Sequence, residues 1–238
     1  MTLRDDYNRD GYFVKRGIFP IFSHDLEKIK EVFNRGPDIY TAYLASEAKS
    51  VRLYNWLCCS NILEELISLG FSSDVGNSAI AYSPVLHVMS DELRIPNGYN
   101  GTAPHQDWSS MQGSLDAVTI WVPLTETKNN FPLEAIRGSH KAGLLDGEFN
   151  GSVLEVAVDA GDFVAIDCEP GDVVFMSSFL VHRTGAGSDG LRIAASMRFD
   201  NAAEPTFIER GYPCAQKRVV DREIRWKPTV EQVREIFK

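Results

Sequence analysis

The chain has 238 residues, 44% hydrophobic and 24% charged, with a formal net charge of −9. That composition is ordinary for a globular protein and supplies a core of normal size without staples. It argues against nucleic acid as a partner, because binding to phosphates needs a basic face.

No apolar run approaches the roughly 18 residues of a membrane span. Met1 to Asp10 is polar and charged, so no signal peptide is expected and the chain reads as cytoplasmic. The four cysteines, Cys58, Cys59, Cys168 and Cys214, contain no CxxC spacing. They read as reduced thiols rather than a disulfide framework or a zinc site. A small molecule is the expected partner, and oligomeric state is not legible.

In chain order, Asp10 to Gly17 reads as a short strand, with Tyr12, Phe13 and Val14 supplying β character. Ser23 is an N-cap for a helix with Leu26, Ile29, Val32 and Phe33 on one face. Asn61 and Glu64 open a second helix with Leu63, Leu66, Ile67 and Leu69 on its apolar face, and Gly70 stops it. Leu86 to Met89 reads as a strand. From Ala103 the pattern changes, and Val118, Ile120, Val122 and Leu124 alternate with Thr119, Trp121 and Pro123.

Further strands are expected at Val153–Val158, Phe163–Ile166, Val173–Val181 and Leu191–Phe199, punctuated by Gly161-Asp162 and Pro170-Gly171-Asp172. This spacing suggests a sandwich or barrel. Thr229 and Gln232 form a capping box for a last helix with Val230, Val233, Ile236 and Phe237 on one side. One domain is expected over the whole chain. It has a helical N-terminal part to about residue 85, a β core to about 200 and a C-terminal extension with a helix.

His105-Gln106-Asp107 lies in a segment that reads as extended, where residues i and i+2 share a face. His182 ends a strand-like run within Gly171 to Gly185, and Arg192 follows ten residues later. Two His and one carboxylate are the donor set of non-haem Fe(II) oxygenases, which leaves metal positions open. Such a site needs neutral imidazoles and an ionised carboxylate, so metal affinity should fall at acid pH. An Arg near the second His suits bidentate grip of a carboxylate. Arg198 competes with Arg192 for that task. Tyr40, Tyr43, Arg52, Tyr54 and Trp56 form an aromatic and basic segment placed to line a pocket mouth or an ordinary half-buried strand.

Four segments in order resemble the phytanoyl-CoA dioxygenase family of Fe(II)/2-oxoglutarate oxygenases. They are Asp10-Gly11-Tyr12-Phe13-Val14 with Arg16-Gly17, Pro104-His105-Gln106-Asp107-Trp108, Asn130 to Lys141, and Gly171-Asp172-Val173-Val174-Phe175 leading to His182 and Arg192. The third matches the form N-G-x-L-x-x-I-P-G-S-H-K except that Phe131 replaces the Gly and Arg137 the Pro. Both changes fall in a loop that borders the substrate in the family.

The resemblance implies a mainly β fold with flanking helices, the double-stranded β-helix of the jelly-roll and cupin type. It implies Fe(II), 2-oxoglutarate and O2 as cofactors and cosubstrates, with succinate and CO2 released. His105, Asp107 and His182 would be the metal ligands, and an Asp there speaks against a halogenase. Arg192 would pair with the 5-carboxylate of 2-oxoglutarate. Relatives often carry Ser or Thr two residues later, where this chain has Ala194. Thr119 is the candidate for that hydroxyl's task, and His87 is a candidate near the cosubstrate. Trp108, Gln112 and Arg137 are candidates for the substrate pocket.

The expected activity is hydroxylation of a small polar metabolite. The alternatives are a non-catalytic metal- or ligand-binding protein on the same scaffold, an oxygenase acting on an acyl-CoA, and a cupin-like isomerase or dioxygenase working without 2-oxoglutarate.

Overall fold

The structure, a computed structural model, describes residues 3–19, 21, 26–27, 78–82, 85–89, 101–150, 153–187, 191–201, 217–221 and 229–236. Of the helix expected after Ser23 only Leu26 and Glu27 are described, and both are helical; the helix expected after Asn61 and the segment from Tyr40 to Trp56 lie outside the described residues, as do Cys58, Cys59 and Cys214. Among the described residues no helix is long and apolar enough to cross a membrane.

The chain opens with a helix that the sequence reading did not foresee, α1 (Leu3–Asp10). Asp5 and Asp6 in its first turn and Arg9 in its last complement the helix dipole. Arg9 also reaches back to Asp6 at 2.9 Å. Gly11 ends the helix in the left-handed region, φ +85°, with its N–H donating to Tyr7 O at 2.8 Å. The expected strand then follows as β1 (Tyr12–Lys15).

Among the described residues eleven further strands build two antiparallel sheets. They are β2 (Ser78–Tyr82), β3 (Val85–Met89), β4 (Val118–Pro123), β5 (Leu133–Ala135), β6 (Gly147–Phe149), β7 (Leu154–Val156), β8 (Val164–Ala165), β9 (Val173–Ser177), β10 (His182–Thr184) and β11 (Arg192–Asn201), followed by β12 (Lys217–Asp221). The larger sheet runs β1–β9–β4–β11–β2–β12. β11, ten residues long, pairs with β4 on one side and with β3 and then β2 on the other. The smaller sheet runs β10–β5–β8, and the β6–β7 hairpin joins it through His105.

The two sheets meet in a core of Trp121, Val174, Met176 and Ala194 from the larger and Leu133 and Ala135 from the smaller. This is the expected double-stranded β-helix.

β4 and β9 are buried along their whole length. Their outer face is covered as well: Phe13 stacks on Phe175 at 4.8 Å, and Tyr7 of α1 meets Phe13 edge-on at 6.1 Å. One expected strand splits in two. Val173–Val181 reads as continuous, but β9 ends at Ser177 and a tight turn, Leu180 N to Ser177 O at 2.9 Å, sends the chain into the other sheet. His182 therefore opens β10 rather than closing β9.

The final helix, Val230–Ile236, matches expectation: Thr229 N donates to Gln232 Oε1 at 2.8 Å and Gln232 N to Thr229 Oγ1 at 3.2 Å at its start. Between β3 and β4 lies a helix of one short turn, α2 (Trp108–Met111). Cys168 is a free buried thiol, and burial pushes its pKa up to about 11.

A Cβ on Gly11 would lie 2.5 Å from His140 Nδ1 and 2.9 Å from Leu180 Cδ1, in a backbone conformation that L-residues disfavour. Gly11→Ala is expected to lower stability by about 1–3 kcal/mol, read by chemical denaturation. Unchanged stability would mean that the α1–β1 junction is not packed as described.

Candidate metal centre

His105 and His182 are brought together by the main chain. His105 N donates to His182 O and His182 N to His105 O, both at 3.0 Å. That reciprocal pair is a hydrogen-bonded antiparallel bridge, so the two side chains leave on one face. Their ring centroids are 4.2 Å apart. Each Nδ1 faces a carbonyl two residues back, Ala103 O at 2.8 Å and Leu180 O at 3.0 Å. A carbonyl only accepts, so Nδ1 carries the proton and Nε2 of the neutral ring keeps its lone pair.

Asp107 arrives differently from the expectation. The segment is not an extended strand: Asp107 has helical φ −62° and ψ −29° and caps α2. Gln106 anchors the change of direction. It is buried, donates to Gly143 O at 2.8 Å and Phe179 O at 2.6 Å, and accepts from Leu145 N at 2.8 Å. Trp108 N donates to Ser178 O at 2.9 Å, tying the helix start to the β9–β10 turn.

Asp107 Oδ1 then lies 3.8 Å from His105 Nε2, and Oδ2 lies 3.8 Å from His182 Nε2. One ligand atom from each of the three residues falls within 4.8 Å of the others, and all three side chains are buried.

Oδ1 accepts from Arg198 Nη2 at 2.5 Å, whereas Oδ2 is buried with no hydrogen-bond partner. Burial raises the Asp107 pKa, but Arg198, His182 and His105 outweigh it and hold the carboxyl well below the usual range. Burial, aided by His182, lowers His105 to about 3. At neutral pH the cluster therefore offers an ionised Asp107 beside a neutral His105, the protonation states that metal binding requires. A bare buried carboxylate oxygen facing imidazole lone pairs is costly unless a cation fills the gap. The donor set fits a divalent metal ion.

Other candidate residues separate into two groups. Arg192, Ala194, Ser196 and Arg198 share one face of β11, and Thr119 and Trp121 stand opposite Arg198 and Ser196 on β4. Arg192 is fully buried, its guanidinium carbon 5.7 Å from the Trp121 ring centroid. Thr119 is also fully buried, and its Oγ1 has no partner. His87 stands opposite Ala194 in the β3–β11 register.

The second group is placed elsewhere. Trp108 is half-buried, stacked on Phe179 at 5.4 Å with its Nε1 donating to Gly113 O. Gln112 is the half-buried C-cap of α2 in the left-handed region. Arg137 is exposed, and its charge acts on Asp10 at the end of α1.

Sequence reasoning missed the anchoring role of Gln106, which has no periodic signature. It also missed Ser139, whose Oγ accepts from Val181 N at 2.9 Å just before His182. Phe131, where the family's stretch carries Gly, has φ +52°, so the backbone itself explains a glycine there.

A family model for phytanoyl-CoA dioxygenase (PhyH) matches residues 7–194. No curated protein matches the sequence. Among solved structures, the epimerase SnoN in complex with Fe3+, alpha ketoglutarate and nogalamycin RO is 20% identical with a TM-score of 0.58, covering 85% of this chain and 83% of that one. HygX from Streptomyces hygroscopicus, with nickel, 2-oxoglutarate and hygromycin B bound, is 17% identical with a TM-score of 0.54, over 85% and 88% of the two chains. EvdO2 from Micromonospora carbonacea var. aurantiaca, complexed with 2-oxoglutarate, is 16% identical with a TM-score of 0.52, over 85% and 93%. At these identities the likeness is one of fold. With the family model matched over most of its length, the chain belongs to the phytanoyl-CoA dioxygenase family.

Proposed function

We propose that the chain is an Fe(II)/2-oxoglutarate-dependent oxygenase acting on a small polar metabolite, with iron held by His105, Asp107 and His182. The observation that carries this reading is the buried, partnerless Asp107 Oδ2 beside two imidazoles whose Nδ1 protons are already committed to carbonyls. Bound there, iron and 2-oxoglutarate supply oxidative decarboxylation to succinate and CO2, coupled to oxidation of a substrate C–H bond.

The protein's residues orient and exclude. Arg192 is assigned to the 5-carboxylate of 2-oxoglutarate, because a buried guanidinium on the face shared with Arg198 suits a carboxylate. The Thr119 hydroxyl, buried and lacking a partner, is assigned to the same cosubstrate in place of the hydroxyl missing at Ala194. His87, opposite Ala194, borders that position. Trp108 and Gln112, on the turn that begins at Asp107, border the substrate side. Arg137 is not assigned to the pocket, given its exposed place beside Asp10.

Related folds include an epimerase and a carbocyclase as well as a monooxygenase, so the same scaffold supports outcomes beyond hydroxylation. Hydroxylation is the outcome proposed here. The net charge of −9 and the lack of a Lys/Arg cluster disfavour the phosphates of coenzyme A.

The test is succinate release across panels of amino acids, sugar acids and acyl-CoA thioesters. Succinate coupled to oxidation of a small polar compound is expected. Coupling to an acyl-CoA alone would overturn the substrate class and leave the enzyme class standing.

A further inference from the structure

The two oxygens of Asp107 are not equivalent. Oδ1 accepts from Arg198 Nη2 at 2.5 Å, and Oδ2 is buried without a partner. Among the described residues Arg198 is the only hydrogen-bond donor to that carboxylate. The contact joins side chains 91 positions apart, with side-chain exposures of 17% for Arg198 and 2% for Asp107. It is a charge-assisted bond in a largely dry setting, the strong kind. Arg198 is itself steadied by Ser196, whose Oγ accepts from Nη1 at 3.4 Å.

A carboxylate can give a metal one oxygen or two. Two imidazoles and one carboxylate oxygen leave three positions of an octahedral ion open, and a second carboxylate oxygen would close one of them. Resting on the metal-site reading above, we infer that Arg198 is a positioning residue that ties back Asp107 Oδ1 and so makes Asp107 a one-oxygen ligand. An Arg suits the task because its planar fork holds Oδ1 and Ser196 Oγ at once. The sequence offered Arg198 as a gripper of a ligand carboxylate. The carboxylate it grips here is the protein's own.

The experiment counts exchangeable waters on Mn(II) bound to the whole protein, by pulsed EPR in deuterated buffer without 2-oxoglutarate. Three waters are expected for the unmodified chain. Arg198→Met keeps the side-chain length and removes every donor, so it is expected to lose one water. Arg198→Lys keeps the charge and a donor, so it is expected to restore the third. A purely structural role would move melting temperature without changing this count.

Two waters in the unmodified chain would overturn the inference without any variant. Three waters in Arg198→Met would overturn it as well, and a simultaneous loss of 2-oxoglutarate affinity there would hand Arg198 to the cosubstrate. Failure of the unmodified chain to bind Mn(II) would bring down the metal-site reading and this inference with it. Failure of the water counts alone would leave that reading intact.

Discussion

His182→Ala is expected to reduce bound iron from one per chain to a trace while the fold persists. The bonds that hold β10 against the His105 segment are main-chain bonds, so they survive loss of the imidazole. Among the described residues the side chain's one hydrogen bond runs from Nδ1 to Leu180 O. What is lost is one of three donors. Removal of even an outer partner of a ligand costs about 10–100-fold in metal affinity, so removal of a ligand should exceed that range.

The variant is cleaner than Asp107→Ala, which would strand the Arg198 guanidinium beside an emptied buried position. Metal analysis after desalting reads the result, with circular dichroism as the control for folding. Equal iron content in variant and parent would remove His182 from the ligand set.

The second large effect is expected at Arg192. A carboxylate left without its fork in a closed site loses about 2–5 kcal/mol, which at the low end is about 30-fold in affinity. Arg192→Ala should therefore raise the apparent constant for 2-oxoglutarate by tens of times or more, with iron content unchanged. Iron is expected to be spared because Arg192 is not among the three ligands and stands six positions along β11 from Arg198, the residue that holds Asp107. An unchanged 2-oxoglutarate constant would sink the role and move it to Arg198.

Much of this arrangement was legible in the sequence, for uneven reasons. β4 announces itself because β-branched and aromatic residues run on in it, whereas β11 has only Ile193 and Phe199 of that kind among its ten residues. The capping box at Thr229 and Gln232 is a local rule that tertiary packing does not disturb. The break between β9 and β10 was hidden because Leu180 and Val181 continue the apolar run while the chain changes sheet. Burial cannot mark the switch, since both residues are fully buried. β5, β6 and β10 are three residues each, too short to show a period. α1 has no buried residue and so no apolar face to read.

At the site, the two-residue spacing of His105 and Asp107 pointed to a shared target, but the reason was different. One residue sits in a β-bridge and the other at a helix start, and Gln106 between them is pinned in the opposite direction. Arg198 shows the limit of spacing arguments. Its partner lies on another element, and only the fold reveals that it is Asp107.

If His105, Asp107 and His182 hold iron, iron in turn should hold 2-oxoglutarate. An anaerobic titration of the whole protein with Fe(II), followed by 2-oxoglutarate and monitored by visible absorption, tests both parts in one vessel. Saturation is expected at one Fe(II) per chain, with a charge-transfer band that appears only when both components are present. Absence of an Fe(II)-dependent band, or 2-oxoglutarate binding with equal affinity in the absence of metal, would contradict it.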